Sequence, residues 1–311
     1  MKWTRKIFTL IFILASLGVS AQQEAMFTHY MYNTLSINPG YAGSRDALTI
    51  TGLHRSQWVG FNGAPTSQTL TLHTPLFRDD LGFGLSVIND QIGPVTRTSV
   101  FIDFSYRLDF EEGKSLSFGL KSGFNMMQVG LQDLVINDVA DNAFLTDVES
   151  KMLPNFGFGL YYRADRSYIG ISSPRLLEND YLENTSSGGL NLASESKHYF
   201  FIAGTMIDIG SNMQLRPTTF VKATSGAPIE ADLTGVLVYD DKLWGGLMIR
   251  TGDAGGILIG MKAMQNLDIG YSYDWSFGLK SGKYNGGSHE IMLRYDFIFK
   301  DKEKIRSPRY F

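Results

Sequence analysis

The chain has 311 residues, no cysteine and a formal net charge of −3. Its first 21 residues carry three of the 28 basic residues and none of the 31 acidic ones, so the rest of the chain has 25 basic against 31 acidic residues, a net charge of −6. The absence of cysteine excludes disulfides and cysteine acylation, and an acidic chain without a basic, aromatic-rich patch argues against a nucleic-acid partner.

The amino terminus has the pattern of a secretory signal peptide. Lys2, Arg5 and Lys6 precede an apolar stretch over residues 7–15, and small residues end this region at Ala21. The apolar stretch is too short to span a bilayer as a helix. We therefore predict a signal peptide over 1–21 that is cleaved after Ala21, with a membrane anchor as the alternative.

Residues 22–45 do not alternate as a strand would. Large apolar residues recur there at roughly helical spacing, and Asn38-Pro39-Gly40 is a turn signal. We predict a short helical segment that either covers the periplasmic mouth of the barrel described next or enters its lumen as a plug. The candidate plug or partner-binding residues are Phe27, Tyr30, Met31, Tyr32, Asn38, Pro39 and Tyr41.

From residue 46 to residue 299 the chain alternates with period two, as strands with one apolar face do. In the clearest segment, 99–108, apolar side chains share one parity, and polar ones share the other, with Phe101 as the exception. About fourteen such segments can be counted, an even number as bacterial outer-membrane barrels require. They lie at 46–55, 65–75, 81–89, 96–109, 114–125, 152–163, 167–173, 197–208, 213–224, 229–239, 243–251, 254–264, 266–275 and 288–299.

Alternation also occurs in soluble sheets, but two features favour a membrane. First, the positions of polar parity repeatedly hold Asp or Arg together with Gly, which suits a water-filled or plugged lumen. Second, aromatic residues such as Trp275 and Phe297 lie at the ends of the apolar faces, where a barrel meets the membrane interface. Tight turns alternate with longer connections at 126–151, 174–196 and 276–287. We predict an all-β, transmembrane, antiparallel outer-membrane β-barrel over 46–299, whose two ends lie on the periplasmic side with the short turns.

Several charged residues fall on the parity that would face the lumen. A charge facing the bilayer is costly, so a barrel requires these side chains to point inward. We expect them either to form a network of ion pairs or to hold the amino-terminal segment. They are Asp103, Arg107, Asp268, Asp274, Arg294 and Asp296.

The remaining candidate sites have a structural and a functional interpretation. His289-Glu290 lacks HExxH spacing, because Leu293 stands four residues after His289, so we expect a structural role rather than that of a hydrolase or a metal site. The acidic loop 133–149 is either solvated or a calcium site, although no glycine stands at the turn position of a calcium loop. A basic periplasmic tail, 300–311, has five Lys or Arg and two acids. No catalytic residue, metal or cofactor is predicted.

A series of motifs in the same order along the chain resembles the PorP/SprF family of outer-membrane proteins from the type IX secretion and gliding system of Bacteroidota. The motifs are FTHYMYN at 27–33, INPGYAGS at 37–44, Arg55-Ser56-Gln57-Trp58, PTSQTLTLHTPL at 65–76, LGFGLSVINDQIGP at 81–94, GYSYD at 270–274, GSHEI at 287–291 and SPRYF at 307–311. The resemblance covers nearly all of the mature chain. It marks Arg55, Trp58, His289 and Glu290 as family positions.

The resemblance implies a barrel that works in protein export. Implied partners are the lipid bilayer, a secreted adhesin or other client, and a periplasmic ring lipoprotein or peptidoglycan-binding protein. It does not distinguish a core component of the machinery from a client-specific barrel. The alternative from a different class is an outer-membrane channel for small or hydrophobic molecules, because about fourteen strands can enclose a lumen.

Overall fold

The computed structural model describes residues 26–45, 47–76, 80–130, 152–179, 195–252, 254–277 and 286–298. Apart from one helical turn, α1 (Thr34–Ile37), and two 3-10 turns, Pro39–Tyr41 and Glu111–Gly113, the regular structure of these residues is strand. The strands are β1 (Leu48–Ser56), β2 (Thr66–Pro75), β3 (Leu81–Ile92), β4 (Val95–Asp109), β5 (Ser115–Val129), β6 (Met152–Arg163), β7 (Ser167–Ser173), β8 (His198–Thr205), β9 (Ile207–Asp208), β10 (Met213–Thr224), β11 (Glu230–Tyr239), β12 (Leu243–Arg250), β13 (Ala254–Met264), β14 (Leu267–Ser276) and β15 (Ser288–Phe297).

The strands form one closed antiparallel barrel. Each strand pairs with the next along the chain, and β15 returns to pair with β1, with Leu48 opposite Phe297 and Ser56 opposite His289. The two-residue β9 continues β8 past Met206, and both pair with β10, so they count as one strand of the wall. The described residues therefore build a 14-stranded barrel, which confirms the predicted fold class.

The inner and outer faces of the wall differ as the alternation predicts. On β4 the outward side chains of Ile102 and Phe104 are 42% and 54% exposed, whereas the inward side chains of Asp103 and Ser105 are 0% and 4% exposed. A continuous belt of exposed apolar side chains around a closed barrel is favourable in contact with lipid. The belt therefore marks the membrane-spanning part of the wall. Among the described residues, no helix has the length and apolar character to cross a membrane.

Two strands are longer than the sequence predicted. β3 continues to Ile92 and β5 to Val129, beyond the predicted ends at 89 and 125. The outward residues near these ends, such as Asn89 and Gln128, are polar, so apolar alternation stops before the hydrogen-bonded ladder does. The connection predicted at 126–151 therefore begins only after Val129.

The connections differ between the two ends of the barrel. At the end where β1 begins and β15 finishes, called here the short-turn end, the connections are 76–80, 110–114, 164–166, 209–212, 240–242 and 265–266. The opposite, long-loop end carries the longer connections 57–65, 130–151, 174–197 and 277–287, together with tight turns at 93–94, 225–229 and 251–253. The wall thus starts and finishes on the side of the short turns, as predicted.

The outward position of Phe104 gives a direct test of the lipid-facing belt. Replacing Phe104 by Arg puts a charge into the bilayer at a cost of roughly 2–4 kcal/mol if the position lies near mid-membrane. We expect much less folded barrel for Phe104→Arg, measured as heat-modifiable migration on gels. The control Phe104→Leu keeps an apolar side chain and should fold as the parent does. Equal folding of the two variants would contradict the assignment of this face to lipid.

Candidate functional site: a leader segment inside the barrel

The segment before β1, residues 26–45, is called here the leader, and it runs through the lumen. At one end Thr28 and His29 contact Glu290, the third residue of β15, near the long-loop end. At the other end Arg45 pairs with Asp296, the ninth residue of β15, near the short-turn end. The leader therefore crosses from the long-loop half of the barrel to the short-turn end before the chain turns into β1.

The leader is built from single helical turns, as the predicted short helical segment suggests. Backbone bonds from Tyr32 to His29 and from Asn33 to Tyr30 form one turn, and α1 has only four residues. Asn38 then caps the 3-10 turn Pro39–Tyr41, because its Oδ1 accepts a bond from the Gly40 N–H at 2.9 Å. This compact, irregular path leaves many backbone polar groups that the wall has to satisfy.

A buried polar group fixes the leader at the long-loop half of the lumen. Glu290 accepts bonds from the backbone N–H groups of Thr28 at 2.9 Å and His29 at 2.7 Å, and its Oε1 lies 2.7 Å from His29 Nδ1. Arg55 Nη1 lies 2.7 Å from Asp274 Oδ2 and 3.2 Å from Glu290 Oε2. The Thr28 hydroxyl links the two sides, because it donates to Asp274 at 2.6 Å and accepts from Arg55 at 3.0 Å. These five residues are called here the anchor cluster.

The anchor cluster couples the leader to the wall through groups that water does not reach. All five side chains are at most 2% exposed. Removing one partner from a buried charged pair costs roughly 3–5 kcal/mol, because the other charge is left uncompensated. The two carboxylates face one guanidinium, and Thr28 and His29 of the leader supply further donors to them. The cluster therefore specifies where the leader sits.

Tyr30 forms the aromatic centre of the leader. Its ring stacks on Phe220 with centroids 5.2 Å apart, and its hydroxyl lies 2.8 Å from Thr218 Oγ1 and 3.1 Å from Thr234 Oγ1. The phenol therefore serves as a hydrogen-bonding and packing group.

Tyr32 packs against the adjoining part of the wall, on β12 and β15. Its ring stacks on Trp244 at 5.1 Å, and the guanidinium of Arg294 lies 4.8 Å from the ring centroid, in cation–π geometry. Arg294 itself pairs with Asp268 through its Nε at 3.0 Å. Met31 contacts the apolar clusters around both tyrosines. The aromatic residues predicted from sequence thus lie against the wall and not on a free surface.

Inward-facing glycines let the backbone of the leader approach the wall. A Cβ on Gly119 would lie 2.1 Å from the backbone nitrogen of Gly40, and a Cβ on Gly159 would lie 2.1 Å from Asn38 Oδ1. Both distances are below any van der Waals contact. The Asn38 amide also donates to the carbonyl of Leu160 at 3.0 Å. The Asn38-Pro39-Gly40 turn therefore packs directly on Gly119 and Gly159, called here the glycine floor, where any larger residue would clash with the turn.

The last part of the leader closes the short-turn end. The ring of Tyr41 lies edge-on to His73 at 5.1 Å and to Tyr161 at 5.3 Å. Arg163 donates to the carbonyl of Ser44 at 2.6 Å, and Arg45 pairs with Asp296 at 2.7 Å. Through these contacts the plug continues to the point where β1 begins.

The six charged residues predicted on the inward parity all face the lumen side of the wall, and they have different partners. Asp274, Arg294 and Asp296 contact the leader directly through Thr28, Tyr32 and Arg45, respectively. Asp103 pairs with Lys121 at 2.8 Å, and Lys121 Nζ lies 3.4 Å from the Leu35 carbonyl of the leader. Asp268 pairs with Arg294, and Arg107 with Asp109 at 3.4 Å. The inward charges therefore both pair with one another and hold the leader.

The four family positions lie in three environments. Arg55 and Glu290 point inward into the anchor cluster, whereas His289 points outward and its Nδ1 lies 2.7 Å from the Tyr271 hydroxyl. Neighbouring residues of a strand face opposite sides, so His289 and Glu290 do not form one site. Trp58 lies in the connection 57–65 with φ 46°, and its N–H donates to Ser288 Oγ at 3.3 Å.

Sequence reasoning missed several inward groups. Lys121 was not singled out, and neither was the Asp232–Arg250 pair, whose atoms lie 2.8 Å apart. Glu195, at the base of the connection 174–197, folds into the lumen and accepts a bond from Asn155 at 2.8 Å. The alternation placed Lys121 on the inward parity, but a residue on a connection, such as Glu195, carries no parity signal.

Some predicted features lie outside the described residues. These are the signal peptide 1–21, the acidic loop 133–149, the last residue of the predicted strand 288–299 and the basic tail 300–311. Within the described part of the chain, no three His, Cys, Asp or Glu side chains are grouped so that they could hold a metal ion.

Comparison of folds relates the barrel to known outer-membrane channels. The CymD monoaromatic hydrocarbon channel is 9% identical over 86% of this chain and 93% of that chain, with a TM-score of 0.53. The toluene transporter TbuX of Ralstonia pickettii is 8% identical over 86% of this chain and 94% of that chain, with a TM-score of 0.51. The outer membrane protein Omp33 of Acinetobacter baumannii is 9% identical over 81% and 98%, with a TM-score of 0.46. At such identities the similarity to the first two shows the fold alone.

Comparison of sequences identifies the family. No curated protein is similar enough to this chain to be matched. The family model of the type IX secretion system membrane protein PorP/SprF matches residues 19–295, which is most of the chain and includes the leader and nearly the whole wall. Together with the closed, apolar-belted barrel, this match assigns the protein to the outer membrane. The chain belongs to the PorP/SprF family of type IX secretion system membrane proteins.

Proposed function

We propose that this protein serves type IX secretion as a plugged barrel that binds other proteins, and not as an open pore. The observation that carries the proposal is the leader, which crosses the lumen and is held by the anchor cluster, two aromatic stacks and a glycine floor. A lumen filled by buried, hydrogen-bonded chain does not let solutes diffuse through. A barrel of this kind acts through its surfaces.

The surfaces left for partners are the long connections and the tail. Tyr30 and Tyr41 are 3% exposed, so they support a plug and not a docking surface. We assign the client, an adhesin or another exported protein, to the long-loop end, which in outer-membrane barrels faces the outside. We assign a periplasmic ring lipoprotein or peptidoglycan-binding protein to the tail 300–311, whose five basic residues favour an acidic surface.

We do not propose catalysis. The family is that of a secretion-system membrane barrel, and neither it nor the porin-like fold is a known enzyme class. His289 and Glu290, the adjacent pair that invited an acid–base interpretation, face opposite sides of the wall. Glu290 is engaged by two backbone N–H groups and Arg55, which suits an anchor.

The alternative function is a channel for small or hydrophobic molecules. Its support is the similarity in fold to a monoaromatic hydrocarbon channel and a toluene transporter. The plugged lumen disfavours an open channel. The two functions differ in whether the intact protein conducts ions.

The state of the lumen can be tested with a glycine of the floor. We expect the parent protein to give no steady ion conductance in planar bilayers. Gly119→Ala sets a Cβ 2.1 Å from the Gly40 nitrogen, which displaces the leader and should open a conducting path. The control Gly235→Ala adds the same methyl group where no atom lies within 4 Å, and this variant should give no steady ion conductance. A steady conductance of the parent equal to that of Gly119→Ala would favour the channel.

The proposed role of the tail can be tested in cells. Replacing its basic residues by Gln keeps the length of the tail but removes its charge: Lys300, Lys302, Lys304, Arg306 and Arg309. We expect a folded barrel in the outer membrane, with surface display of its client reduced several-fold. The control replaces the two acids of the tail, Asp301 and Glu303, by Asn and Gln and should keep display normal. Normal display in both variants would exclude the tail as a partner site and leave the long connections.

A further inference from the structure

The apolar belt of the outer wall contains a concave site, called here the outer furrow. It has a volume of about 350 Å³, and its outward-facing lining includes Gly52, Leu70, Val87, Ile291 and Leu293. Gly52 stands opposite Leu70 on β2 and opposite Leu293 on β15. No atom lies within 4 Å of a Cβ built on Gly52, so the furrow is the space of a missing side chain between large apolar neighbours.

A row of polar side chains borders the furrow on its long-loop side. His54, Gln68 and Asn89 are consecutive cross-strand partners on β1, β2 and β3, and all three line the furrow. His54 and Gln68 are exposed. Polar groups on a lipid-facing wall are costly unless they find hydrogen-bonding partners. Asn89 donates to Thr98 Oγ1 at 2.9 Å, and His54 Nε2 lies 3.2 Å from Ser56 Oγ. The exposed His54 and Gln68 are therefore the members of the row that can also bond to a neighbour in the membrane.

The shape of the furrow restricts its occupant. The furrow is continuous with the apolar belt, which is the interface with the bilayer. The strands that carry Leu70 and Leu293 flank β1, so they lie about 10 Å apart between backbones, and their side chains narrow the gap further. A helix with its side chains is about 10–12 Å wide and does not fit, whereas an extended hydrocarbon chain does.

We propose that the outer furrow binds one acyl chain of a membrane lipid. The chain lies over Gly52 between Leu70 and Leu293, and oxygen atoms of the lipid head accept hydrogen bonds from the His54 imidazole and the Gln68 amide. This site stands on β1 and β15, the pair that closes the barrel. The inner face of the same two strands carries Arg55 and Glu290 of the anchor cluster. The lipid therefore covers the closing seam on the side opposite the plug.

The test uses the purified full-length protein in vesicles of phosphatidylethanolamine that carry a diazirine in one acyl chain. After illumination, peptide mapping compares labelling of Leu70, Ile291 and Leu293 with labelling of Leu120 and Ile171, which are exposed belt residues on β5 and β7. We expect several-fold enrichment at the furrow. Gly52→Leu fills the furrow and should abolish the enrichment, whereas the control Gly235→Leu, also outward and open, should preserve it.

A second variant tests the polar row. Replacing His54 and Gln68 by Leu should keep the barrel folded and reduce the enrichment, because the lipid head loses its donors. Equal labelling around the belt in the parent protein would overturn the proposal, as would enrichment that persists in Gly52→Leu. Absence of furrow labelling together with a cross-link between two copies through His54→Cys would identify the furrow as a protein contact instead.

Discussion

The structure depends on one buried carboxylate. Glu290 accepts hydrogen bonds from the backbone of Thr28 and His29 and pairs with Arg55, and all of these groups are withdrawn from water. These bonds join the leader to β1 and β15, the strands at which the barrel closes. A buried charge is stable only where its partners are complete, so the position of the leader and the closure of the wall are coupled.

The plug follows from this coupling and from the size of the barrel. A wall of fourteen strands encloses more space than its own inward side chains need to fill. The leader fills it with aromatic rings stacked on Phe220 and Trp244, and glycines at 119 and 159 make room for its backbone. The function that fits a filled lumen is binding at the two ends of the barrel. The outer belt provides the contact with lipid.

The wall was predictable from sequence because alternation is a local signal. It gave the strands, their number and the inward parity of residues such as Asp103 and Arg294. The content of the lumen was not predictable, because partners such as Glu290 and Thr28 are more than 200 residues apart in the chain. Ser105 illustrates the difference: its parity suggested a wet lumen, but its hydroxyl donates to the carbonyl of Ala42 at 2.7 Å. The inward glycines were a signal of close backbone approach that composition alone did not reveal.

The most direct test of the plugged barrel is a chemical cross-link between the leader and the wall, because the chain has no native cysteine that would react as well. The side chains of Asn33 and Thr69 meet inside the lumen, with Asn33 Nδ2 and Thr69 Oγ1 2.8 Å apart. In the double variant Asn33→Cys with Thr69→Cys, a short bifunctional thiol reagent present during refolding should therefore join the two positions in the folded protein. The control Asn33→Cys with Leu70→Cys should not be joined, because Leu70 faces outward. A folded first variant that the reagent does not cross-link, and whose thiol at position 33 is freely labelled by a soluble maleimide, would contradict the account.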